Sequence, residues 1–214
     1  MKRKLFWTMA AVLALCLTAC AGVAEEMDGS QLSAWQREAD WRAFYTYTQE
    51  PELDEAWSAA ASAFGSALGM EDMDGDMLKA MNAQVCGLPD GIVRLEIDAE
   101  TVCALDCDGN VVFSHPYQYV ETIPEAVEGK DAHVYRTEDA NAGQFTYLCM
   151  TLPGVEAEEG GVIPNFSVRY AETDYEALFE DSYSGPTGML VAADTPLADV
   201  DYTIRLVYGA EPKP

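Results

Sequence analysis

The sequence predicts a mainly β protein, an antiparallel meander closing into a barrel, with helices ahead of it and a short helix after the last barrel strands. Three observations lead there. Aromatic and alanine positions follow helical spacing up to about residue 80, and beyond it the apolar period drops towards two. The later runs are short, and turn sequences such as Asp90-Gly91 and Asp108-Gly109 punctuate them. Short strands at regular intervals suit a closed antiparallel sheet, because closure removes the exposed edges.

The chain opens with Lys2, Arg3 and Lys4, and Leu5 to Leu17 is then almost wholly apolar. That is the length of a signal-peptide hydrophobic region and too short to span a bilayer comfortably. Leu17-Thr18-Ala19-Cys20 resembles the lipobox of bacterial lipoproteins, with a small residue just before the cysteine. The resemblance implies cleavage after residue 19 and a diacylglyceryl group on the Cys20 thiol. Each acyl methylene buried in the membrane then contributes roughly 0.8 kcal/mol. Residues 1–19, with Cys16 among them, are expected to leave as a signal peptide. Residues 20–30 follow as a short polar tether. The domain, residues 31–210, would therefore sit lipid-anchored on the extracytoplasmic side of a bacterial membrane.

From Leu32 the spacing of Leu32, Trp35, Ala39 and Arg42 predicts a helix capped by Ser33, its apolar face widened by Trp41, Phe44 and Tyr45 and its end set by Pro51. A second helix is expected over residues 52–68, stopping near Gly69, and a third over 74–81, which completes a helical region spanning 31–80. Strands are expected at 81–86, 92–97, 101–105, 110–120, 132–137, 144–151 and 165–170, then a short helix near 173–181. The tail carries two signals. Thr195-Pro196 before Asp199 and Asp201 starts a helix that Gly209 would stop, whereas Tyr202, Ile204, Leu206 and Tyr208 alternate as in a strand. The balance favours helix.

The formal charge of −25 becomes −28 once Lys2, Arg3 and Lys4 are lost. Nucleic acid is excluded as a partner, because phosphate binding needs clustered Lys and Arg. Beyond Cys20 lie Cys86, Cys103, Cys107 and Cys149, an even count that permits disulfides outside the cell. Cys103 and Cys107 on one strand would stand about 13 Å apart, too far to bridge. Two full connectivities remain, or one bond and two free thiols.

Several stretches taken in order resemble the ZinT (YodA) family. Leu32-Ser33-Ala34-Trp35, Asp40-Trp41-Arg42-Ala43-Phe44-Tyr45 and Leu53-Asp54 are similar to its opening Leu-Ser-Asp-Trp, Glu-Trp-x-Ser-Val-Tyr and Leu-Asp-Pro. Asp90-Gly91-Ile92-Val93 resembles its Asp-Gly-x-Val strand start, and Cys103 before Asp108-Gly109 its Cys-x4-Asp-Gly hairpin. Asn165-Phe166-Ser167-Val168-Arg169-Tyr170 and Glu176-Ala177-Leu178-Phe179 resemble its His-Phe-His-Ile segment and the helix after it. The resemblance implies a lipocalin-like (calycin) barrel that captures zinc outside the cytoplasm and passes it to a metal-uptake system. It places two of the family's three zinc histidines at Asn165 and Ser167 and the third near Thr151, so no residue here is named as a metal ligand. It also implies a disulfide with Cys103 as one partner. The other family position holds no cysteine, and Cys149, one strand further along, is the candidate replacement.

His115 and His133, the only histidines, are expected to be strand or loop residues with local hydrogen bonds. Asp72-Met73-Asp74-Gly75-Asp76 has its glycine at the fourth position, where a calcium-binding EF-hand loop needs it at the sixth, and reads as an acidic helix cap. Glu156, Glu158 and Glu159 read as a solvated loop. Trp35, Trp41, Tyr45 and Trp57 are expected to plug the helices onto the barrel. The sequence has no nucleophile elbow, phosphate loop, His-Glu-x-x-His or dinucleotide fingerprint. A non-enzymatic binding protein is expected, either of the metal-capturing kind or as a barrel that docks a small molecule or a protein.

Overall fold

Alternating burial along short runs produces the sheet, and its strand order sets its shape. The computed structural model describes residues 27–37, 40–154, 163–180 and 182–212. The signal peptide, Cys20 and the three loop glutamates lie outside the described residues. The nine strands are β1 (Trp41–Ala43), β2 (Arg94–Ile97), β3 (Thr101–Leu105), β4 (Val111–Pro116), β5 (Gln118–Val127), β6 (Lys130–Arg136), β7 (Tyr147–Thr151), β8 (Asn165–Ala171) and β9 (Gly188–Ala192). They form one antiparallel sheet in the order β4-β3-β2-β1-β9-β8-β7-β6-β5. Its two outermost strands, β4 and β5, are separated in sequence by Tyr117 alone. The sheet must therefore curl until its ends meet at that residue. Phe113 packs on Phe145 with ring centres 4.4 Å apart, and the Tyr117 hydroxyl donates to the Phe145 carbonyl, so side chains bridge the seam.

The interior of the curl is filled. Trp35, Trp41, Tyr135, Met150, Phe166 and Leu190 are all fully buried there, and Ile92, Val102 and Leu148 join them. On the outside, α1 (Asp54–Leu68), α2 (Gly75–Cys86) and α3 (Leu197–Val207) cover β9 through a second core that includes Trp57, Phe64, Leu78, Val191 and Ile204. Gly69 ends α1 at φ 69°, a left-handed cap that glycine adopts without strain. Asp74 caps α2, its carboxylate accepting from the Met77 N–H at 2.8 Å, as the acidic-cap reading requires. The tail is helical, with Val200, Thr203, Ile204 and Val207 buried at intervals of three, one and three. A short 3-10 turn, Glu176–Phe179, stands where a helix was expected after β8.

Three expectations need correction. The helix expected from Leu32 is a 3-10 turn at Leu32–Trp35, then β1, then a 3-10 run at Phe44–Gln49, and Ser33 caps nothing. Both Trp35 and Trp41 are wholly buried, yet six residues along an α-helix they would point about 120° apart. Breaking the helix lets both enter the interior, and the Trp41 indole N–H donates to the Trp35 carbonyl at 2.7 Å. The strand expected at 81–86 is the second half of α2, where Leu78, Asn82 and Cys86 are buried at a spacing of four. Finally, β9 is an additional strand, buried at every position.

The Cys103–Cys149 disulfide is also corrected: Cys86, Cys103, Cys107 and Cys149 are all free thiols. Cys103 alternates with the inward Val102 and Ala104, and Cys149 with the inward Leu148 and Met150, so both thiols are on the outer face. β3 and β7 are five places apart in the sheet, on the order of 24 Å along it, and curling does not bring outward side chains together. Burial beneath the Glu176–Phe179 turn pushes the Cys149 thiol up to about 12, an unreactive state.

Candidate functional site

The family resemblance directs attention to the junction of β7 and β8. Met150 pairs with Val168, which sets Thr151 opposite Ser167. Phe166 points inward, its ring 4.7 Å from that of Trp41, so Asn165 and Ser167 share the other face. Their partners on β9, Val191 and Met189, belong to the core beneath the helices. Thr151, Asn165 and Ser167 are thus neighbours, as the alignment of motifs implied.

Their bonding is inward and structural. The Thr151 hydroxyl oxygen accepts from the Ser167 N–H at 2.9 Å, and the Thr151 carbonyl accepts from the Trp35 indole at 2.9 Å. Asn165 is buried and donates its amide to the Ile163 carbonyl at 2.9 Å. Zinc favours imidazole, thiolate and carboxylate, and this trio offers one amide and two hydroxyls, two of its polar groups already engaged. The residues do not fit a zinc ion. Among the described residues, no group of three or more His, Cys, Asp or Glu side chains is placed to hold a metal.

Neither histidine converges on the trio. The His115 ring stacks on Phe113 inside the curl, with Nδ1 3.0 Å from an Asp139 carboxylate oxygen. The Asn141 backbone N–H and then His115 hold the Asp139 carboxyl below the usual range. His133 lies on β6 in edge-type contact with the Trp35 ring, Nδ1 2.9 Å from the Thr122 hydroxyl. Burial lowers its pKa below the ordinary imidazole value, against the pull of Asp131 and Asp28. Both histidines keep the local partners that the sequence suggests.

A polar hollow of about 440 Å³ lies outside the sheet, lined by Arg37, Asp40, Trp41, Glu96, Asp98 and Cys103 among others. Its carboxylates are partly engaged: Asp40 with Arg94 at 3.1 Å, Asp98 with the N–H groups of Glu100 and Thr101. Sequence reasoning missed a different feature, the docking of residues 27–30 beneath β6. Gly29 is buried there and its carbonyl accepts from the Tyr135 hydroxyl at 2.8 Å, so the end of the expected tether belongs to the domain. Asp28-Gly29-Ser30 has no hydrophobic period, and only the space beside His133 identifies it.

Comparison with solved structures supports this architecture. The chain is similar to the zinc-bound ZinT-like domain of Streptococcus pneumoniae AdcA, with a TM-score of 0.57 and 17% identity over 88% of this chain and 98% of that one. It is also similar to zinc-bound AdcA from the same organism, with a TM-score of 0.59 and 18% identity over 91% of this chain and 39% of that one. No protein-family profile and no curated protein matches the chain in sequence. The fold is ZinT-like.

Proposed function

We propose that this chain is a lipid-anchored, non-enzymatic binding protein of the bacterial cell envelope, built on a ZinT-like barrel whose zinc triad has been replaced. The barrel's likeness to zinc-bound domains and the lipobox at Cys20 support a role outside the cytoplasm, of the metal-recruiting type. One observation carries the loss of the triad: Thr151, Asn165 and Ser167 present amide and hydroxyl groups, and the Thr151 hydroxyl and Asn165 amide are bonded within the chain. The packed interior disfavours the alternative of a small molecule held inside the barrel. A partner would meet the outer surface.

Calorimetric zinc titration of the metal-free chain tests the proposal. The expected result is no binding at micromolar zinc. Micromolar binding that N165A/S167A abolishes would overturn it, showing that the altered site still captures the ion. For the anchor, metabolic labelling with an alkyne fatty acid should mark the wild-type chain and not C20S. A C20S chain that labels equally would overturn lipidation.

A further inference from the structure

The docked end of the expected tether lies against a buried imidazole. A β-carbon on Gly29 would fall 2.1 Å from Cε1 of His133 and 2.4 Å from both ring nitrogens. The ring is held by the Thr122 hydroxyl, itself 2.8 Å from the Tyr119 hydroxyl, and by the edge of Trp35. The remaining nitrogen, Nε2, is buried with no hydrogen-bond partner. In the neutral ring that atom can be a bare acceptor. In the cation it must be an N–H donor, and an unpaired buried charge is far the costlier.

We propose that residues 27–31 form a pH-released latch, closed over His133 while the imidazole is neutral and freed when it takes up a proton. The charges around the ring are few. Asp28 on the latch and Asp131 on β6 favour the cation, but the Asp28 carboxylate is exposed and bonded to Ser30, and that of Asp131 accepts from the Glu125 N–H. From β5, the Tyr119 and Thr122 hydroxyls are bonded to each other and Glu121 is bonded to Tyr175, while β7 presents Met150. Tyr135, also on β6, holds the latch through its hydroxyl. Burial outweighs the two carboxylates, and because Gly29 packs on the ring, part of that burial belongs to the closed latch, which would bind the proton more weakly than the open one. By linkage, closure is favoured above the ordinary imidazole value of 6.5 and weakens as pH falls below it. Opening would free residues 27–31 from β6, at about 3.3 Å of reach each. The latch does not require lipidation.

Hydrogen-exchange mass spectrometry of the full chain in detergent micelles reads the latch directly, with rates corrected for intrinsic pH dependence. Protection over residues 27–34 should fall several-fold between pH 7.5 and pH 5.0, while β7 and β8 stay protected. H133F should make that protection independent of pH. G29A should open the latch at both pH values and return the His133 imidazole to an ordinary titration by NMR, its signal identified against H115Q. Unchanged wild-type protection, an equal acid loss in H133F, or wild-type His133 titration in G29A would each overturn the latch. Should H133F fail to fold, the wild-type and G29A titrations decide.

Discussion

Trp35 joins the N-terminal turn to the barrel interior, and truncating it measures how much that junction stabilises the fold. Its side chain is fully buried, with ring centres of His133, Tyr135 and Phe166 at 5.8, 5.7 and 6.5 Å. Removing an indole from such a site costs about 3–5 kcal/mol through lost burial and the cavity left behind. The Thr151 carbonyl would also lose its 2.9 Å donor, worth about 1 kcal/mol. W35A should therefore destabilise by about 4–6 kcal/mol, a large share of the ~5–15 kcal/mol that holds a domain together. W35F keeps most of the ring but loses the N–H, so about 1–2 kcal/mol is expected. Urea unfolding followed by circular dichroism, at equal m-values, supplies both numbers. A W35A cost below about 2 kcal/mol would refute the buried junction, as would W35F costing as much as W35A.

Three further outcomes are expected. D74A should lose about 1 kcal/mol of stability in urea, because the Met77 N–H loses its cap. D139N should abolish a pH-dependent contribution. A carboxyl held low in the fold stabilises above its unfolded value near 3.8, and that contribution is lost as pH falls through the lower folded value. Urea midpoints of wild type and D139N should thus differ at pH 6 and converge in strong acid. With a thiol-specific reagent and no reductant, Cys107 should react at once and Cys103 more slowly, whereas Cys86 and Cys149 should react only after denaturation. Two cysteines still silent in denaturant would reveal a bridge.

Strands with one solvent face were legible because alternation records a half-buried surface, as at β3, where burial switches residue by residue. β9 was illegible for the converse reason: Gly-Met-Leu-Val-Ala is covered on both faces, which erases any period. The stretch 32–45 misled because Leu32, Trp35, Ala39 and Arg42 follow a helical spacing while pairing with β2 and β9 dictates β1. Such long-range pairing leaves no local trace. At the candidate site, motif order located Thr151, Asn165 and Ser167 correctly as neighbours. What the motifs could not convey was that the Thr151 hydroxyl and the Asn165 amide are spent on backbone partners, or that Gly29 covers His133.

The strand order that makes Tyr117 a seam also fixes the order of assembly. The β3–β4 hairpin closes within about ten residues, but β1 must find β9 roughly 150 residues downstream. That is nearly four doublings of loop length, at about 0.6 kcal/mol of closure entropy each. On a chain made from its N-terminus, Trp41 has no β9 partner until Ala192 emerges. The segment that begins the domain is therefore among the last to be locked. Until then β1 can pair only with β2, and its other edge is open to association between incomplete chains.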